Sequence, residues 1–192
     1  MKVANKKDVL LLMLYSPGSE GSFNERICGR TRLVKMLFLF RKEVLPAMRS
    51  LGDITPENFY DFFGWNFGPF STQIYDDLTF FQLRGFIESL ASTESASTEA
   101  SAEWDKWVDV SGADMEGTDA RMYQEECFSL TDKGQEWTKN VYDSLSTKER
   151  KIFQDFKSRL SKAPLQAILQ YVYTTYPEMT DSSLIKEQVL SG

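Results

Sequence analysis

The stretch Phe63–Gly85, FGWNFGPFSTQIYDDLTFFQLRG, decides how the rest of the chain is read. Phe63, Trp65 and Phe67 alternate with Gly64 and Asn66, the period-two pattern of a half-buried strand, and Gly68-Pro69 is expected to turn the chain. After the turn, Phe70, Ile74, Leu78 and Phe81 share one helical face. Ser71 or Thr72 stands where a helix is capped, and Gly85 where one ends. Strand, turn and helix in this order aim a helix, so the question is what that helix meets.

Upstream, a helix is expected over Lys6 to Tyr15, stopped by SPGSEGS. In GRTRLVKMLFLFRKEVLPAMRSLG, Leu33, Met36, Leu37, Phe40, Val44, Leu45 and Met48 follow the i, i+3, i+4 rhythm. Pro46 has no amide to donate, so this helix should kink or end near Glu43 or Val44. Downstream, a short strand over Phe86 to Leu90 leads into ASTESASTEASA, which has no large apolar side chain and reads as a flexible loop. EWDKWVDV and MYQEECFSL are strand-like and frame this insertion as a hairpin.

Four helices follow, the last of them short. Thr131 is a candidate N-cap before Trp137, Val141 and Leu145, and Ser146 with Glu149 makes a capping-box pattern before Ile152, Phe153, Phe156 and Leu160. Pro164 opens a helix with Leu165, Ile168, Leu169 and Val172 on one face, and Leu184 to Leu190 suits a short terminal helix. The expected fold is α+β and mainly helical, with a winged-helix-like core. Residues 1–145 would form that core, with 91–121 as a long acidic wing, and residues 146–192 a helical extension packed on it.

The chain has 192 residues and a net charge of −6, but the charge is unevenly placed. Residues 1–50 carry ten Lys/Arg against four Asp/Glu, residues 51–145 five against nineteen, and residues 146–192 seven against five. A basic segment beside an acidic one suits self-association, a partner of both signs, or contact with nucleic acid through one face. No segment reaches the roughly 20 apolar residues of a membrane span, so a cytoplasmic protein is expected. Cys28 and Cys127 fit neither a metal spacing nor a disulfide framework, and reduced thiols are expected.

Histidine is absent, which removes the commonest general base and metal ligand. Cys28 has basic neighbours but no histidine to pair with, Asp76 and Asp77 point apart on a helix, and no Gly-rich phosphate loop occurs. An enzyme is not expected, nor is any cofactor or metal.

The pieces RTRLVKMLFLFRKEV, FYDFFGWNFGPFSTQIYDDLTFFQLRGFIE, YQEECFSLTDKGQEW and LQAILQYVYTTYPEMT, in that order, resemble the YwgA-type and Panacea-related winged-helix proteins, including SocA-like antitoxins. The resemblance covers about Arg30 to Thr180, apart from the low-complexity insertion. It implies a regulator-like fold and a partner protein, a toxin or a defence-complex subunit, in a phage-defence or toxin-antitoxin setting.

The helix after the turn offers Asp76 and Asp77 where a DNA reader needs Arg or Lys, and the wing is more acidic still. That helix and wing are therefore not expected to read DNA. Seven aromatics between Phe59 and Phe70 exceed what one alternating face can bury, so some should be exposed for a partner. The expected partner-binding residues are Trp65, Phe67, Phe70, Tyr75, Asp76 and Asp77. The alternative is a DNA-binding regulator, as a monomer or a dimer, touching phosphates through Arg30, Arg32, Lys35, Arg41 and Lys42, with Arg30, Lys35 and Arg41 off the apolar face.

Overall fold

The computed structural model describes residues 2–48, 51–91 and 126–191. Most of the proposed wing, and the strand-like EWDKWVDV, lie outside the described residues.

Helix α1, Lys6–Tyr15, starts at Asn5, whose side chain accepts from the Lys7 amide while Asp8 reaches back to the Asn5 amide at 3.2 Å. From Val9 to Tyr15 every residue is buried, so α1 is the central helix of the core rather than a surface helix with one wet face. Strand β1, Ile27–Cys28, leads into α2, Arg30–Leu39. The helix ends there as an α-helix, widens into a π turn over Phe40–Val44 and tightens into a 3-10 turn over Leu45–Ala47. Pro46 cannot continue the regular ladder, and the expected break appears as this change of winding.

Strands β2, Phe63–Trp65, and β3, Gly68–Phe70, form a two-stranded ribbon in which Trp65 pairs with Gly68 and Gly64 with Pro69. The turn therefore lies on Asn66-Phe67, two residues earlier than expected, and Gly68-Pro69 belongs to the second strand. Gly68 takes φ +80°, which closes the turn, and Pro69 sits on a ribbon that needs no further pairing from it.

Helix α3, Thr72–Leu83, follows, with Gly85 at φ +67° past its end. Ser71 occupies the N-cap position, but its buried hydroxyl finds no partner.

Strand β4, Ile87–Ala91, pairs antiparallel with β5, Glu126–Leu130, and β5 pairs with β1, giving the sheet order β1-β5-β4. This register places Cys28 directly opposite Cys127, with Cα atoms 3.9 Å apart, and the two are joined as a disulfide. The expectation of reduced thiols is corrected. Pairing of strands 99 residues apart is a tertiary event that cysteine spacing does not report.

Helix α4, Asp132–Ser144, is capped by Thr131, which accepts from the Gly134 amide, and α5, Thr147–Lys162, starts with the complete Ser146–Glu149 capping box. Helices α6, Leu165–Thr175, and α7, Lys186–Ser191, complete the chain. Phe153 and Phe156 of α5 stack on Phe40 with ring centres 5.0 and 5.5 Å away, and α6 packs along α2. The C-terminal helices thus share one continuous apolar core with the first three helices.

Candidate functional site

Four rings run in sequence across the β2–β3 ribbon onto α3. Trp65 meets Phe63 at 6.0 Å between ring centres, Phe63 meets Phe70 at 5.6 Å, and Phe70 meets Tyr75 at 5.2 Å. The two edge-to-face contacts follow from the ring quadrupole, and the alternation of β2 puts Phe63 and Trp65 on the same side. Trp65 is 51% and Phe63 43% exposed. At the far end the Arg30 guanidinium lies over Tyr75 at 5.4 Å while its Nε donates to Glu126 Oε2 at 2.7 Å. Burial works against the Glu126 carboxylate, but hydrogen bonds from Arg30, Ser89 and Gln82 outweigh it and hold its pKa below the ordinary value.

Of the expected partner-binding residues, this face brings together Trp65, Phe70 and Tyr75. Phe67 is excluded, being only 7% exposed, because the turn at Asn66-Phe67 directs it inward. Asp77 is also buried. It accepts a hydrogen bond from Tyr60 Oη at 3.0 Å and pairs with Lys7 at 3.1 Å, which makes it a tie between α3, α1 and the segment before β2. Burial, with the Asp77 carboxylate beside it, pushes the Tyr60 hydroxyl well above its usual pKa. Asp76 alone of the acidic pair stays exposed. Phe63 was missing from the expected set although the same alternation that exposes Trp65 exposes it.

The five cations expected to form a basic ridge do not form one. Arg30 is held by Glu126, and Arg32 donates to the carbonyls of Leu160 and Ala163 at 2.9 and 2.7 Å, closing the C-terminal end of α5. Arg41 donates to the Pro56 carbonyl at 2.8 Å, and Lys42 lies 3.6 Å from Glu178. Lys35, expected off the apolar face, is only 2% exposed, with its Nζ donating to the Pro69 carbonyl at 2.9 Å. Helical spacing separates faces but does not reveal that the β2–β3 ribbon covers this one.

Beneath the ladder lies a cavity of about 20 Å³, bounded by Thr31, Lys35, Trp65, Phe67, Phe70 and Tyr75. Burial alone pushes the Lys35 ammonium down to about 7. Among the described residues no cluster of three or more His, Cys, Asp or Glu is placed to hold a metal, and no helix is long and apolar enough to cross a membrane.

No protein-family model, no curated protein and no solved structure matches this chain.

Proposed function

We propose that this chain is a non-enzymatic, winged-helix-like interaction module that binds and controls a partner protein through the aromatic edge of β2–β3. The observation that carries the reading is the ladder from Tyr75 to Trp65, which ends in two large rings open to solvent. Burying a Trp-centred patch of this kind against a partner is the usual source of hot-spot energy. The order α1, β1, α2, the β2–β3 ribbon, α3, then the β4–β5 pair, with sheet order β1-β5-β4, supports the winged-helix reading. The resemblance to YwgA-type and Panacea-related proteins supports a toxin or a defence-complex subunit as partner. The engagement of Arg30, Arg32, Arg41 and Lys42 within the chain, and the burial of Lys35, weigh against the DNA-binding alternative.

The test is affinity purification of the tagged protein from its native host, with and without nuclease, in wild type and in Trp65→Ala/Phe63→Ala. A stoichiometric protein that survives nuclease and is lost with the double variant supports the reading. Recovery of nucleic-acid-dependent material alone sinks it.

A further inference from the structure

Lys35 combines three features that core lysines seldom share. Its side chain is almost fully buried, no carboxylate among the described residues is within ion-pair reach, and the residue lines a cavity. Among the described residues its hydrogen bond, to the Pro69 carbonyl at 2.9 Å, uses one of three donors. Buried charges are ordinarily paired, because an unpaired one is costly to desolvate. Lys157, also deeply buried, meets that demand with two carbonyls, Leu14 and Glu25.

Among the described residues Lys35 has no counter-charge, the Glu126 carboxylate being held by Arg30. On α2, Arg30 and Arg32 are cations; on α3, Asp77 is taken by Tyr60 and Lys7, and Asp76 is exposed. Strands β2 and β3 and helix α6 contribute no charged side chain. The cavity, at about 20 Å³, admits one water-sized group. The half-exposed Trp65, the buried Lys35 and Thr31 all stand on its lining.

We infer that this cavity is a carboxylate site, in which one carboxylate oxygen enters between Trp65 and Tyr75 and accepts from Lys35 Nζ. The size of the cavity and the aromatic walls select a monocarboxylate with a small or apolar stem, and the ammonium supplies the counter-charge. The carboxylate comes either from a free small acid or from an acidic side chain of a docked protein. The inference stands whether or not a protein binds on the ladder above.

The test follows the lysine 13Cε resonances of selectively labelled wild-type protein through a pH titration, with sodium formate against sodium sulfate at equal ionic strength. Sulfate, a tetrahedral dianion without a carboxylate, is the control for general anion effects. The Lys35 signal is the one lost in Lys35→Met or, should that variant not fold, the one moved most by Trp65→Ala. Formate at ten times its dissociation constant should raise the Lys35 titration midpoint by about one pH unit, because binding to the protonated form alone shifts the equilibrium about tenfold. The other lysines should move equally in both salts. A second arm replaces formate by N-acetyl-aspartate amide. If both acids shift Lys35, an acidic side chain can be the source; if formate alone does, the source is a free acid. A Lys35 midpoint that is the same in formate, blocked aspartate and sulfate overturns the site.

Discussion

Lys157 Nζ lies 2.6 Å from the carbonyl oxygen of Leu14, a contact across 143 residues of sequence. Leu14 is in the last turn of α1, where carbonyls lack an intrahelical donor, so the lysine from α5 closes the end of the central helix. It also donates to the Glu25 carbonyl at 2.8 Å, fixing the loop between α1 and β1. Lys157→Met keeps the stem and removes the donors. It should lower unfolding stability by about 1–3 kcal/mol, the cost of leaving buried acceptors unsatisfied, read by urea denaturation. A change within error would mean that water replaces the amine.

The two buried lysines also set a pH dependence. Burial lowers Lys35 and Lys157 from the ordinary 10.5 to about 7 in the folded chain. Between pH 7 and 10.5 the unfolded chain therefore holds protons that the folded chain has released, and stability rises with pH across this window. Below about pH 7 both states are protonated and the penalty for burying the charge is fully present. In urea titrations at several pH values, Lys35→Met should flatten this rise, gaining on wild type at pH 6 and losing ground by pH 9.5. Parallel curves for the two proteins would refute the assignment.

Gly68 pairs a left-handed backbone with a close neighbour. Its φ is +80°, and a Cβ there would stand 2.9 Å from Tyr173 Cε2 on α6. Gly68→Ala therefore meets backbone strain and a clash with a ring that is itself buried, at a cost of about 1–3 kcal/mol. Gly21, also at positive φ but with open space where its Cβ would be, is the control for strain alone. Thermal denaturation of the two alanine variants should show the larger loss at Gly68.

How much of this was legible in the chain varied with the distance over which each signal acts. The helix starts at Thr131 and Ser146 are written locally, in a cap residue and the side chain three positions on, and the structure has both. The aromatic excess before α3 likewise implied that some rings stay out of the core, and Phe63 and Trp65 do. The hairpin turn was misplaced because Gly-Pro is a strong turn signal, while here the glycine's conformation serves the residue after the turn. The burial of Lys35 and Asp77 was hidden because their covers, the β2–β3 ribbon and Tyr60, arrive from other parts of the chain.

Trp65 and Phe67 are two residues apart and should separate binding from folding. Trp65→Ala removes an exposed ring at the end of the ladder, so stability should stay within about 1 kcal/mol of wild type while partner capture falls. Phe67→Ala empties a buried position and should cost about 3–5 kcal/mol. Equal destabilisation by the two changes would show that Trp65 is a packing residue and would remove the main support for the ladder as an interface.

The Cys28–Cys127 bridge makes the last prediction, and it bears on where the chain works. The bridge joins positions 99 residues apart across the β1–β5 register, so it restricts a large loop of the unfolded chain. By loop entropy alone it contributes about 4–5 kcal/mol, and reduction should lower the unfolding midpoint accordingly. Intact mass before and after reduction should differ by two hydrogens, and Cys28→Ser/Cys127→Ser should match the reduced wild type in stability. In a glutathione-buffered cytoplasm such bridges are rare, and a chain working there would do so in its less stable reduced form. Two thiols free to alkylation in native, air-exposed protein would sink the bridge and restore the reading of Cys28 and Cys127 as ordinary reduced thiols.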